Sequence, residues 1–216
     1  RNHALKDRDG GIDKLARLMG EVLTEKTKAE LSFSLGEIYF NDLKDYEAAA
    51  RQFGLAIENG LSGTRLVDAG YGRAQALDLL SETDTAAAAE ARSRYEAFLA
   101  QYPSAPQADD AAYGSYRLSS RLARSEGGRA GLASAFLAQH PASAHRERVL
   151  ADLGFAAAAA GDSVAARSAL GELLARYPQS PFGNRALLAL GDLFHSAGRD
   201  DSAAACWESV VKRTPV

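Results

Sequence analysis

The sequence predicts an all-α fold built as a solenoid of antiparallel helix hairpins. Four prolines recur at intervals of 38, 37 and 37 residues, and each closes a similar helical segment: Pro103, Pro141, Pro178 and Pro215. Two amphipathic segments separated by a short turn precede the last two prolines, and looser versions of the same pattern occur earlier. A period of roughly 20 to 50 residues is typical of repeat architectures, in which each unit buries its apolar face against its neighbours.

The composition agrees with this fold class and argues against several functions. The 216 residues are 46% hydrophobic and carry a formal charge of -3, whereas a nucleic-acid-binding protein is expected to be strongly basic. No apolar run approaches the ~18 residues that a membrane helix needs. We therefore expect neither nucleic-acid binding nor direct membrane insertion. The composition leaves the compartment and the oligomeric state open.

The first segment, residues 1–28, is predicted to be a degenerate lead-in helix. Its apolar residues recur on one helical face, and residues 11–24 look like the second half of an earlier repeat: Ile12, Leu15, Leu18, Met19 and Val22. The solenoid itself is predicted for residues 29–216, in five units at about 29–61, 62–104, 105–142, 143–179 and 180–216.

The last two units show the hairpin most clearly. A helix from Phe182 to Ser196 is followed by a break at residues 197–200 and a second helix to about Lys212. The preceding unit makes its turn at Gly161-Asp162. Longer units are expected to carry their extra residues in the turn inside the hairpin: one in the first unit, about seven near residues 81–85, and three near the Gly127-Gly128 break.

A glycine lies at the corresponding position inside the first helix of each unit: Gly36, Gly72, Gly114, Gly154 and Gly191. Glycine costs about 1 kcal/mol relative to alanine in a helix, so we expect it to permit close approach of the partner helix. Trp207 is predicted to fill the gap between the last two helices. On that basis Trp207→Ala should cost about 3 to 5 kcal/mol.

The joints between units share a sequence in which tyrosine precedes proline, at Tyr102-Pro103 and Tyr177-Pro178. Proline lacks a backbone donor and disfavours the helical conformation in the residue before it, so the second helix should end there. The following serines, Ser104 and Ser180, are expected to accept backbone hydrogen bonds near the start of the next helix.

These positions together resemble the tetratricopeptide repeat. In the last unit the pattern is carried by Leu187, Leu190, Gly191, Phe194, Ala203, Trp207 and Pro215. The joints at residues 102–106 and 177–181 and the 37-residue period look most like the bacterial cell-envelope branch, seen in the periplasmic coordinator of the Tol-Pal system and in outer-membrane assembly lipoproteins. The resemblance covers roughly residues 29–216. Arg117 and Ala157 depart from it, since an aromatic residue is usual at their positions.

The resemblance implies a right-handed superhelix that acts as a non-catalytic protein-interaction scaffold. It implies a location in the bacterial periplasm or cell envelope, with the cytoplasm as the alternative. First-helix residues that would face the concave side and bind a protein or peptide are Phe33, Glu37, Phe40, Arg73, Arg148, Phe155, Arg185, Asp192 and His195. Aromatic side chains among charges of both signs suit a polypeptide better than nucleic acid. The alternative function is a rigid spacer or oligomerisation segment of a larger protein, without a groove ligand.

A second candidate site is a basic ridge formed by Arg117, Arg121, Arg124 and Arg129. The first three recur at helical spacing and could bind an acidic protein or phosphate, although a solvated face with partners on its own helix is the favoured interpretation. We expect no catalytic residues, no cofactor and no metal. His140 and His145 are the only histidines near one another, and Cys206 is interpreted as a packed small residue.

The apolar stripe of residues 11–24 and the position of Val216 predict that the array continues beyond at least one end. The full reading frame tests this expectation. A natural precursor that begins and ends at these boundaries, apart from a leader, would contradict it.

Overall fold

Residues 24–213, the part of the chain that the structure describes, form ten α-helices joined by short turns. In this computed structural model the helices are α1 (Glu25–Ile38), α2 (Tyr46–Glu58), α3 (Thr64–Leu80), α4 (Ala87–Gln101), α5 (Ala108–Leu122), α6 (Glu126–Gln139), α7 (Arg146–Ala159), α8 (Ser163–Arg176), α9 (Gly183–Ser196) and α10 (Asp200–Arg213). Within this range there is no strand. The all-α helix-hairpin class predicted from the sequence is confirmed.

The chain divides into two compact units between Leu118 and Ser119, so α5 contributes to both. In the first unit, α1 packs on α2, α2 on α3 and α3 on α4, and the larger buried side chains are Phe33, Phe53, Leu77, Tyr95, Phe98 and Leu118. In the second unit, α6 packs on α7, α7 on α8, α8 on α9 and α9 on α10, around Phe136, Leu150, Leu170, Leu173, Leu187 and Leu190. Most of the lead-in lies outside the described residues, and the five-unit division stays a prediction.

Polar side chains cap several helices at their starts. Thr24, Asp45, Ser125 and Asp162 each accept a hydrogen bond from the backbone N–H three residues later. At the joints, Ser180 Oγ accepts from the N–H of Phe182 at 3.2 Å, as predicted, and Ser143 Oγ accepts from His145 at 3.0 Å. Ser104 makes no such bond within the described range. These bonds satisfy donors that the following helix leaves unpaired.

The turns accommodate the extra residues in different ways. In the first predicted repeat, residues 29–61, α1 is followed by a π-helical turn, Tyr39–Leu43. A π-helix holds more residues per turn than an α-helix does. The second predicted repeat, residues 62–104, places residues 81–86 between α3 and α4. In the third predicted repeat, residues 105–142, the expected break at Gly127-Gly128 is wrong, because both glycines lie in the first turn of α6. Ser125 caps that helix by accepting from the N–H of Gly128 at 3.1 Å.

The glycines of the first helices lie against large side chains of second helices. Within a hairpin, Gly36 contacts Phe53, Gly154 contacts Leu170 and Gly191 contacts Trp207; Gly72 and Gly114 contact the second helix before them, at Phe53 and Tyr95. At all five positions, an added Cβ would come within 3.0 Å of the partner side chain. The close approach expected from the sequence is therefore confirmed, and no side chain fits there without displacement of the partner.

Phe53 and Trp207 make the same kind of contact at very different burial. Phe53 is 4% exposed, and its ring lies against both Gly36 and Gly72. Trp207 lies over Gly191, as predicted, but is 37% exposed. The loss of about 3 to 5 kcal/mol expected for Trp207→Ala assumed full burial and is therefore too large.

We expect Phe53→Ala to lower the free energy of unfolding by about 3 to 5 kcal/mol, because it empties a fully buried site between two helices. Trp207→Ala should cost about 1 to 2 kcal/mol, since part of its ring is already in water. Denaturant titration followed by circular dichroism measures both losses. A loss for Trp207→Ala as large as that for Phe53→Ala would contradict this ranking.

Candidate protein-binding surface

The second unit presents a charged and aromatic face on two neighbouring first helices, α7 and α9. We call it the first-helix surface; its residues are Arg148, Asp152, Phe155, Arg185, Leu188 and Asp192. On each helix these side chains follow one another at three or four residues, which places them on one side of the helix. Leu188 is 46% exposed, although it is a large apolar side chain.

Two arginines of this surface lie over aromatic rings and so join α7 to α9. The Arg185 guanidinium carbon lies 4.0 Å from the centre of the Phe155 ring, and that of Arg148 lies 5.1 Å from the Phe182 ring. A cation over an aromatic face contributes about 0.5 to 1 kcal/mol at an exposed site. The stacking also holds the long arginine side chains in place, which lowers the entropy that a bound partner would remove.

Carboxylates interrupt the positive charge of the same surface. Arg148 Nε lies 3.2 Å from an Asp152 oxygen one turn away, and Asp192 is exposed on α9. His195 is also exposed, but its Nδ1 lies 2.7 Å from Asp200 at the start of α10. Five predicted residues thus lie on α7 and α9: Arg148, Phe155, Arg185, Asp192 and His195. Arg185 stacks on Phe155, whereas Arg148 stacks on Phe182.

The predicted residues of the first unit need correction. Phe33 is only 6% exposed and packs against Phe53 with ring centres 5.9 Å apart, so it belongs to the core and cannot anchor a partner. Phe40 is half-buried in the π-helical turn, 5.7 Å from the Tyr46 ring. Glu37 is exposed. The sequence could not separate Phe33 from Phe40, because both follow helical spacing from the same apolar face.

Arg73 lies in a different place from the one predicted. Its side chain is largely buried on α3, next to Gly54 of α2 and 3.9 Å from Glu90 of α4, where it lines a groove between the two second helices. Burial, and then the charge of nearby Arg94, lowers the pKa of Arg73. The sequence predicted that Arg73 faces the concave side. Its side chain lies between two second helices instead.

The basic ridge is not a free cluster of cations. Arg117 pairs with Asp78 of α3, and Arg129 pairs with Glu126 at 2.6 Å and donates to the carbonyl of Ser120. Arg121 and Arg124 are exposed. The favoured interpretation of partners on its own helix is correct for Arg129, but Arg117 finds its partner on another helix.

A buried acid, which the sequence gave no reason to single out, explains the unusual Arg117. Asp78 is 5% exposed, and one of its oxygens accepts from the Tyr95 hydroxyl at 3.3 Å as well as from Arg117. Burial, and then the charge of Asp78, raises the pKa of the Tyr95 phenol, which keeps it a donor. The arginine that replaces the usual aromatic residue thus compensates a charge inside the first unit. An aspartate within the otherwise apolar segment of residues 76–80 is the signal that could have found it.

The remaining candidates are the histidines and the cysteine. His140 lies 4.8 Å from the Phe136 ring, and no metal-binding group of His, Cys, Asp or Glu occurs within residues 24–213. Cys206 is half-buried, and burial raises the pKa of its thiol, which disfavours the reactive thiolate. None of the helices between Glu25 and Arg213 is long and apolar enough to cross a membrane.

Comparison with known families finds a tetratricopeptide repeat within the second unit. Residues 151–180, which include most of α7, all of α8 and most of the following joint, match a family model described as the tetratricopeptide repeat. No curated protein matches the sequence significantly. The match does not specify a cell-envelope type.

Solved structures share the fold at low sequence identity. MamA 41-end from Desulfovibrio magneticus RS-1 is 16% identical over 86% of this chain and 94% of its own, with a TM-score of 0.60. A tetratricopeptide repeat protein from Parabacteroides merdae ATCC 43184 is 17% identical over 87% of this chain and 66% of its own, with a TM-score of 0.53. At such identities the likeness shows the fold alone.

We expect Arg117→Met to destabilise the first unit by about 2 to 3 kcal/mol, because it leaves the buried Asp78 charge uncompensated. The double variant Asp78→Asn/Arg117→Met should recover part of that loss, since neither charge remains. Denaturant titration measures both, with Arg124→Met as a surface control expected within about 0.5 kcal/mol of the parent. A double variant less stable than Arg117→Met would contradict the pairing.

Proposed function

We propose that the protein is a non-catalytic scaffold that holds protein or peptide partners on the first-helix surface of its second unit. The observation that carries the proposal is the stacking of Arg185 on Phe155, beside Arg148 on Phe182. Aromatic and arginine side chains are the residue types that contribute most binding energy in protein interfaces. Here they are exposed or half-buried and already held in position.

The charges of this surface favour a polypeptide partner. Asp152 and Asp192 lie among the arginines, so the surface lacks the uniform positive charge that attracts a phosphate backbone. A partner segment with charged groups of both signs and an apolar side chain against Leu188 would match it. The tetratricopeptide-repeat fold supports this role, since repeat proteins of stacked helix pairs present extended binding surfaces.

The proposal includes a bacterial envelope-associated assembly as the setting. Its support is the tyrosine-proline joints at residues 102–106 and 177–181 and the 37-residue period, which resemble envelope proteins of this repeat family. Fractionation of the native host with an antibody to the protein tests it. Recovery in the cytoplasmic fraction alone would remove this part of the proposal and leave the binding role unaffected.

We expect Phe155→Ala/Arg185→Gln to reduce the recovery of partner proteins in affinity purification about tenfold or more, because it removes the stacked pair at the centre of the surface. Arg199→Gln is a matched control, since Arg199 lies 4.8 Å over the Phe194 ring and outside this surface. Quantitative mass spectrometry of copurified proteins measures the change, and circular dichroism checks the fold.

Unchanged recovery by a folded Phe155→Ala/Arg185→Gln variant would move the site away from the first-helix surface. A parent chain that retains no specific partner would favour the alternative role as a rigid spacer.

A further inference from the structure

The second unit contains a groove between two second helices, α6 and α8, with α7 as its floor. Its volume is about 650 Å³. The walls are made of small residues: Gly127, Ala130, Gly131, Ser134 and Ala138 on α6, and Ala165, Ser168 and Ala169 on α8. Leu153 of α7, which is half-buried, supplies the apolar floor, whereas Leu150 is only 1% exposed and belongs to the core. The groove is formed by other residues than the first-helix surface.

The glycines of this wall are not explained by packing within the described part of the chain. A Cβ on Gly127 or Gly131 would meet nothing within 4 Å, unlike the glycines of the first helices. Each glycine inside a helix costs about 1 kcal/mol relative to alanine. Because these two positions on the groove side of α6 have no side chain, a partner backbone can approach the helix closely.

One end of the groove carries an excess of positive charge. Arg146, whose side chain is 15% exposed, donates to Glu172 at 2.8 Å and to the carbonyl of Leu137 at 3.4 Å. Arg176 lies 3.2 Å from the same Glu172, so two cations share one carboxylate. The buried Arg146 Nε has no hydrogen-bond partner among residues 24–213. Because Arg146 lines the groove and a single carboxylate serves two cations, this end favours an added carboxylate.

The other end does not offer the same chemistry. Asp162 lies there, ten residues before Glu172 on the chain, and one of its oxygens already caps α8 by accepting from Ala165. Ten residues along a helix correspond to about 15 Å. A carboxylate of a bound segment is therefore matched only at the Arg146 end, which fixes the direction of the segment in the groove.

The first unit repeats the charge arrangement between its own second helices. Arg73 and Arg94 share Glu90, and the buried Arg73 Nε has no hydrogen-bond partner in the described range. The groove there also has a volume of about 650 Å³, but its walls carry the charged Glu47 and Arg51. The groove of the second unit is thus the better site for a segment with an apolar face.

We propose that the groove between α6 and α8 binds an amphipathic helix of a partner protein, with its apolar face on Leu153 and the small residues of the walls and an Asp or Glu side chain accepting from Arg146. The inference rests on the protein-binding function proposed above and adds a second contact surface to it. An apolar helix face matches the small-residue walls, and the carboxylate matches the charge excess.

The test is a selection from a random 16-residue peptide library displayed on phage, with the full chain as bait. The expected binders are amphipathic helical sequences with Asp or Glu toward one end. For a selected synthetic peptide, Glu→Gln or Asp→Asn should weaken binding about tenfold, as measured by fluorescence anisotropy. With the Arg146→Gln variant, the same peptide change should alter binding by less than about twofold, because the partner of the peptide carboxylate has already been removed.

Two glycine variants give a test that does not depend on Arg146. Gly131→Leu fills the groove and should abolish binding, whereas Gly171→Leu, on α8 and outside the groove lining, should leave it within about twofold. Neither added Cβ meets an atom within 4 Å, so both variants should fold. Equal binding by parent and Gly131→Leu, or a selection without acidic binders, would overturn the groove. Peptides lost only with Phe155→Ala/Arg185→Gln would overturn it too, while supporting the first-helix surface.

Discussion

The contact between a first-helix glycine and a large side chain of a second helix sets the helix spacing in both units. Phe53 lies against Gly36 on one side and Gly72 on the other, so one ring fixes the positions of α1 and α3 relative to α2. Leu170 and Trp207 make the corresponding contact inside the last two hairpins. Interiors pack as densely as organic crystals, and a methyl group at any of these glycines has no free volume to occupy.

The same dense packing determines where charge is placed. Helices that approach this closely leave little room, so charged side chains between them must pair. Arg117 reaches the buried Asp78, Arg73 lies between Gly54 and Glu90, and Arg146 bridges to Glu172. Removing one member of such a pair leaves the other without compensation in a medium of low dielectric constant. Arginines that the sequence predicted to form a binding surface are therefore paired with acids between packed helices.

What remains for partners is the surface that the pairing leaves available. On α7 and α9, the guanidinium carbons of Arg185 and Arg148 lie 4.0 and 5.1 Å from the Phe155 and Phe182 ring centres, which restricts both side chains. Between α6 and α8, small side chains leave a groove with one incompletely paired arginine. The two surfaces use different chemistry, since the first offers mixed charge on aromatic faces and the second offers an apolar floor with positive charge at one end.

Local signals in the sequence determined the repeat and the positions at which its helices end. Proline after Tyr102 and Tyr177 ends a helix because it lacks a donor, and the glycines at positions 36, 154 and 191 mark close helix contacts because only glycine fits there. The cap at Ser125 overrode the Gly127-Gly128 break, since a side-chain acceptor outweighed two poor helix formers.

The positions of the candidate binding residues were predictable only in part. Helical spacing placed Arg148, Phe155 and Arg185 on first helices, and in the structure Arg185 stacks on Phe155 while Arg148 stacks on Phe182. The same spacing could not show that Phe33 is buried, that Arg73 lies between second helices, or that Arg117 has a partner 39 residues away at Asp78. Periodicity along one helix identifies a face but not what covers it. Which neighbouring helix covers each face was decided by the tertiary packing.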